Sequence, residues 1–124
     1  MDKKIKKDNE KVIVGLCAGR HEMPVNEYIF NKVDDIFNFK SQEKIVMKFL
    51  EEKVGVEISS SVGINQADHT DILCYKGKKA LVVYITGLTC LTATLIKCCI
   101  FNGVSLTLMH FDSASGQYVP QIIL

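Results

Sequence analysis

The stretch ALVVYITGLTCLTATLIKCCIFNGVSLTLMHF (80–111) decides the fold. Its first six residues are apolar and strand-forming. Thr86-Gly87-Leu88-Thr89 then makes a turn that can cap a helix. Residues 90–101 form an almost wholly apolar helix, and Asn102-Gly103 supplies the left-handed stop at its end. SLTLMHF (105–111) is strand again. Strand, helix and strand in so short a span make a βαβ unit. Its two strands are therefore expected to be parallel, joined by a right-handed crossover.

Outward from this unit the rest of an α/β domain takes shape. VIVGLCA (12–18) is apolar with almost no alternation, the mark of a strand covered on both faces. Residues 25–39 read as short helical turns or a covering loop. Ser41 is a candidate N-cap for the helix QEKIVMKFLEEKVG, with Gly55 ending it. VEISSS (56–61) is a candidate strand and 62–69 a polar loop. DILCY and ALVVY flank Lys76-Gly77-Lys78-Lys79 in the manner of a β-hairpin. Asp112–Gly116 is a turn, and Pro120 suits an edge strand or a terminal extension. The expected class is α/β: a small mixed sheet with a C-terminal βαβ unit and covering helices. Residues 1–10 read as a flexible N-terminal arm and 11–124 as a single ligand-binding domain.

Charge narrows the function. The formal net charge is +1 over 124 residues. The first ten residues hold four lysines against three acids, so eleven basic and eleven acidic residues remain in the body. Duplex nucleic-acid binders carry a basic excess, and this body has none. Only one arginine is present, Arg20. A hydrophobic fraction of 48% and a mean hydropathy of +0.15 are high for a small soluble monomer, which favours an oligomer. The five cysteines form no CxxC pair and no zinc spacing, so reduced thiols without a metal are expected. No apolar leader opens the chain, and its longest apolar run is too short to span a membrane.

In a parallel sheet, ligands bind beyond the carboxyl ends of the strands. Three polar clusters fall there: Arg20-His21-Glu22, Thr86–Thr89 and His110-Phe111-Asp112. A helix N-terminus suits phosphate, Thr86 and Thr89 add hydroxyls, and Gly87 lets a ligand reach the backbone. Arg20 can grip phosphate bidentately. Asp112 can accept from ribose hydroxyls, and Phe111 or Met23 can pack against a base. Each cluster also has a plainer reading. Thr89 can be only an N-cap, Asp112 only the start of a turn and His110 only a hydrogen-bonded core histidine. Arg20 can pair with Glu22 or with an acid of another subunit. No GxGxxG or P-loop motif occurs, and Ser59–Ser61 lack a nucleophile elbow.

The runs GLCAGRHEMP (15–24), YITGLT (84–89) and TLMHFDxxxGxYxPQ (107–121) resemble the first-described family of Thoeris anti-defence proteins of phages. The resemblance covers roughly residues 12–121. It implies a sponge that binds cyclic ADP-ribose isomers, the signals made by the TIR-domain enzyme of Thoeris defence, without cleaving them. Some members also sequester cyclic oligonucleotides (cyclic di- or trinucleotides) of CBASS defence at a second kind of pocket. It further implies dimers that assemble into hexamers, with pockets at subunit boundaries. No cofactor is implied, and the setting is the cytoplasm of an infected or lysogenic bacterial host. On this resemblance Arg20 and Thr86 are the first choices for phosphate contacts. Gly87, Leu88, Thr89, His110, Asp112, His21 and Met23 follow. The alternative is an enzyme hydrolysing a cyclic nucleotide signal through His21 or His110.

Overall fold

The computed structural model describes residues 10–20, 22–65 and 70–124. The arm read over residues 1–10 lies outside them except for Glu10. That residue already belongs to the sheet, because its carbonyl accepts from the Ala80 N–H at 3.1 Å.

The chain runs β1 (Lys11–Cys17), β2 (Tyr28–Phe30), α1 (Phe39–Phe49), β3 (Val56–Asn65), β4 (Thr70–Gly77), β5 (Ala80–Tyr84), α2 (Thr89–Phe101), β6 (Leu106–Asp112) and β7 (Gln117–Ile122). Five strands form one mixed sheet in the order β2-β1-β5-β6-β7. β1 is parallel to both β2 and β5, β5 is parallel to β6, and β7 returns antiparallel. The expected α/β class and the C-terminal βαβ unit are therefore both present.

Side-chain alternation gives the sheet two unlike faces. Val14, Leu16, Leu81, Val83, Leu106 and Leu108 are buried, in one cluster with Leu91, Leu95, Cys98 and Cys99 of α2 and Val46 and Phe49 of α1. The chain crosses from β2 to β5 and from β5 to β6 in the same direction. Right-handed crossovers therefore put α1 and α2 on the same face. Thr94 bridges the helices by donating its hydroxyl to Gln42 Oε1 at 3.1 Å, while Gln42 Nε2 donates to the Ile36 carbonyl at 2.8 Å. Gln42 and Thr94 are buried, and both ends of the Gln42 amide thus have the partners that burial demands.

The other face carries no helix among the described residues. Ile13, Phe111 and Ile122 lie on it and are 53%, 51% and 80% exposed. The expectation that β1 is covered on both faces thus holds only for its second half. There Tyr28 and Met23 pack over Gly15, where an added Cβ would meet the Tyr28 ring at 2.5 Å.

Other boundaries moved for local reasons. α1 begins two residues before Ser41, because Asn38 Oδ1 accepts from the Ser41 N–H and serves as the cap. Leu50–Val54 adds one π-helical turn, closed by the Gly55 N–H to the Leu50 carbonyl at 2.8 Å. Within 25–39, β2 is a three-residue edge strand rather than helical turns or a loop. The hairpin expected between 71–75 and 80–84 does not form. β4 pairs antiparallel with β3 in a separate two-stranded sheet, and β3 takes up residues 62–65 of the expected loop. ALVVY, apolar throughout, instead enters the centre of the parallel sheet, where both edges are paired. Residues 66–69 of that loop lie outside the described residues.

The root of the β3–β4 ribbon is a backbone crossing. The Gly77 N–H donates to the Gly103 carbonyl at 3.1 Å, and a Cβ on Gly103 would overlap the Tyr75 carbonyl oxygen. Gly103 also sits at φ +62°. Gly103→Ala is expected to cost about 2–4 kcal/mol by chemical denaturation, from left-handed strain plus overlap. Gly116, at φ +74° with nothing within 4 Å of an added Cβ, is the control. Gly116→Ala is expected to cost only about 1–2 kcal/mol.

Candidate site at the carboxyl edge of the sheet

The parallel register carries the ends of β1, β5 and β6 to one edge. Gly15 pairs with Tyr84, and Tyr84 with Met109, so the residues that follow leave the sheet side by side. Two adjoining hollows result, with the Thr86–Leu88 turn between them.

The first hollow, of about 380 Å³, is lined by Gly19, Arg20, Asn31, Lys32, Val33 and Leu88 among others. Gly19 sits at φ +80°. That left-handed turn takes the chain out of β1 and sends Arg20 into solvent. Arg20 makes no ion pair with Glu22 or any other described residue. The chain reaches α2 through a different kind of turn. Thr86 Oγ1 accepts from the Leu88 N–H at 3.2 Å. Threonine commonly closes turns in this way. Leu88 is the N-cap and can offer no side-chain acceptor. The first N–H groups of α2 are thus left without a side-chain cap, whereas α1 has Asn38. Thr89, expected as the N-cap, is instead the first residue of the helix and is exposed.

The second hollow, of about 250 Å³, is lined by Ile85, Thr86, Gly87, His110 and Phe111. Nothing lies within 4 Å of a Cβ placed on Gly87, so the backbone there is open to a ligand. Met23 lines neither hollow. It lies in a shallow recess with Glu22, Pro24 and Tyr28, its sulfur against Gly15. His21 lies outside the described residues.

Two of the acid–base candidates, His110 and Asp112, have side-chain partners of their own. His110 Nε2 lies 2.7 Å from Gln121 Oε1. That contact makes Nε2 the protonated nitrogen, donating to the amide oxygen. Asp112 Oδ1 accepts from the Ala114 N–H at 3.1 Å, and Oδ2 from the Ser115 hydroxyl at 2.9 Å. Asp112 is therefore the anchor of the turn that ends at Gly116, and it lines neither hollow. Among the described residues no cluster of His, Cys, Asp or Glu is arranged to hold a metal.

Burial raises the Cys17 thiol above its ordinary range, partly offset by the positive charge of Arg20. Cys98 is raised by burial and by the Glu43 carboxylate, against the opposing charge of Lys97. Cys99 is pushed up to about 12, by burial and by neighbouring Cys98. None of the three is poised as a thiolate at neutral pH.

No family model, curated protein or solved structure matches this chain. Among the described residues no helix is long and apolar enough to cross a membrane.

Arg20 and Leu88, expected at one edge with Thr86, Gly87 and His110, do lie there. Asn31 and Lys32 were not expected, yet they follow β2 into the first hollow. The three residues of that strand are too few to carry a periodic signal.

The raised thiols set a pH window. Unfolding frees Cys99 to ionise from pH 9 upward, while the folded thiol keeps its proton to about 12. Folding stability is therefore full below pH 9 and falls between 9 and 12. Denaturation across that range is expected to show the decline, and Cys99→Ala is expected to flatten it. At pH 8 a thiol reagent is expected to spare Cys17, Cys98 and Cys99 until denaturant is added.

Proposed function

We propose that this chain binds a cyclic ADP-ribose-type signalling nucleotide and holds it intact, withdrawing the signal from Thoeris immunity. The observation that carries the reading is the first hollow. There an arginine with no ionic partner among the described residues shares a wall with Leu88, the N-cap residue of α2, which offers that helix no side-chain acceptor. Guanidinium and helix N–H groups are both recurrent partners of phosphate. The Thr86–Gly87 turn continues this surface into the second hollow, so phosphate and nucleoside can be held on either side of one turn. Arg20 and Thr86 are the leading phosphate contacts. Gly87, Leu88 and Lys32 line the path, and His21, Thr89 and His110 are secondary, while Met23 and Asp112 stand outside both hollows.

Capture without cleavage is favoured because Asp112 is tied into its own turn and the buried thiols keep their protons at neutral pH. The ligand class extends to cyclic di- and trinucleotides, which present the same phosphate chemistry. The working form is a homo-oligomer, a dimer assembling to a hexamer. Two apolar surfaces support that. One is the row of the helix-free sheet face that runs from Ile13 to Ile122. The other is the end of α2, where Ile100 and Phe101 are 57% and 71% exposed. Contiguous apolar surface of this kind marks contact sites. The place of action is the cytoplasm of an infected or lysogenic bacterium.

A sponge has no turnover, so its dissociation constant must match the signal it removes. Nanomolar to micromolar binding corresponds to about −12 to −8 kcal/mol. Calorimetry with a cyclic ADP-ribose isomer is expected to fall in that range. Heating the complex is expected to release the ligand unchanged, as read by mass spectrometry. A linear product in the supernatant would instead establish hydrolysis, through His21 or His110. Arg20→Ala is expected to weaken binding by about 1.5–3 kcal/mol. Equal affinity in that variant removes Arg20 from the site.

A further inference from the structure

The second hollow has an aromatic wall that phosphate chemistry does not use. Register puts Phe111 opposite Tyr118, and Tyr84 lies on the same face of the neighbouring strand. The three rings make a braced series. Tyr84 and Tyr118 meet edge to face at 4.7 Å between centroids, and Phe111 and Tyr118 at 5.3 Å. Such contacts fix ring orientation. Yet Phe111 remains half exposed beside Thr86 and the open backbone of Gly87.

An exposed phenylalanine at the rim of a hollow is costly to solvate. Because its ring is already held, a planar ligand stacking on it loses little further side-chain freedom. Met23, the other side chain read as able to pack against a base, is packed against Gly15 and Tyr28 instead.

We infer that Phe111, braced by Tyr118 and Tyr84, is the stacking platform for the purine base of the ligand. The phosphates lie across the Thr86–Leu88 turn, toward Arg20. This rests on the nucleotide reading above for the identity of the ring, and on the aromatic geometry for its place. Base–aromatic stacking tolerates many bases, so the platform supplies affinity while the turn supplies register.

The probes are adenosine, ribose 5-phosphate and a cyclic ADP-ribose isomer, applied to the whole chain. Adenosine is expected to shift the aromatic proton resonances of Phe111 and Tyr118 saturably, and ribose 5-phosphate to leave them in place. Removing the stack is expected to lower affinity for the isomer about 5- to 150-fold in both Phe111→Ala and Phe111→Leu. Phe111→Trp is expected to keep the affinity. It also adds the only tryptophan of the chain, whose fluorescence the ligand quenches. Phe111 is exposed, so unchanged circular dichroism is expected in all three variants. The inference is overturned if Phe111→Leu binds the isomer as the parent does, or if adenosine moves neither ring. Failure of the sponge reading looks different. The isomer then does not bind the parent chain, while adenosine still shifts Phe111 and Tyr118.

Discussion

The structure depends on the burial of α2 against the parallel strands that it connects. Leu91, Leu95 and Cys99 have no exposed surface, and neither do Leu81 and Val83 beneath them. Each fully buried leucine contributes roughly 1.5–3 kcal/mol relative to exposure. That contact sets which face of β5 and β6 points inward, because shifting a strand by one residue would turn its apolar set outward. It also fixes where the helix begins. The short turn from Tyr84 to Thr89 must bring the chain from the sheet edge to the helix layer. The groups at that turn are therefore held by the core rather than by each other.

Legibility followed the length of each pattern. The βαβ unit was readable because two apolar strands and an apolar helix sit between strong punctuation, with Asn102-Gly103 closing the helix. The turn at Asp112 and the edge position of Pro120 were legible for the same reason. The error over the hairpin was different in kind. Local sequence suits a turn at Lys76–Lys79, but tertiary pairing decided otherwise. β4 had β3 available, and β5 was needed between β1 and β6. The one-sided cover of β1 was also invisible, since Ile13 reads like any core isoleucine while lying more than half exposed.

The site was legible as a place and less so as a set of bonds. Strand direction put Arg20, Thr86 and His110 at one edge. It could not reveal that Thr86 would cap its own turn, that Leu88 would leave α2 without a side-chain acceptor, or that Gln121 would accept from His110. Those depend on rotamers and on which strand lies alongside. Asp112 is tied into its own turn, whereas Arg20 and the first N–H groups of α2 have no side-chain partner among the described residues.

Pro120 carries a consequence of its own. The Ile123 N–H donates to the Leu106 carbonyl. Hydrogen-bonded pairs then alternate along β6 and β7, and Met109–Pro120 is one whose backbone groups point away from each other. The proline nitrogen thus lies on the free border of the sheet, midway along its last strand. A strand approaching from outside finds a missing donor and a ring where a hydrogen bond should form. Growth of the sheet into a filament is interrupted at its most accessible border, even though Ile122 and Val119 beside it are apolar and exposed. That interruption keeps crowding from turning abundance into fibre.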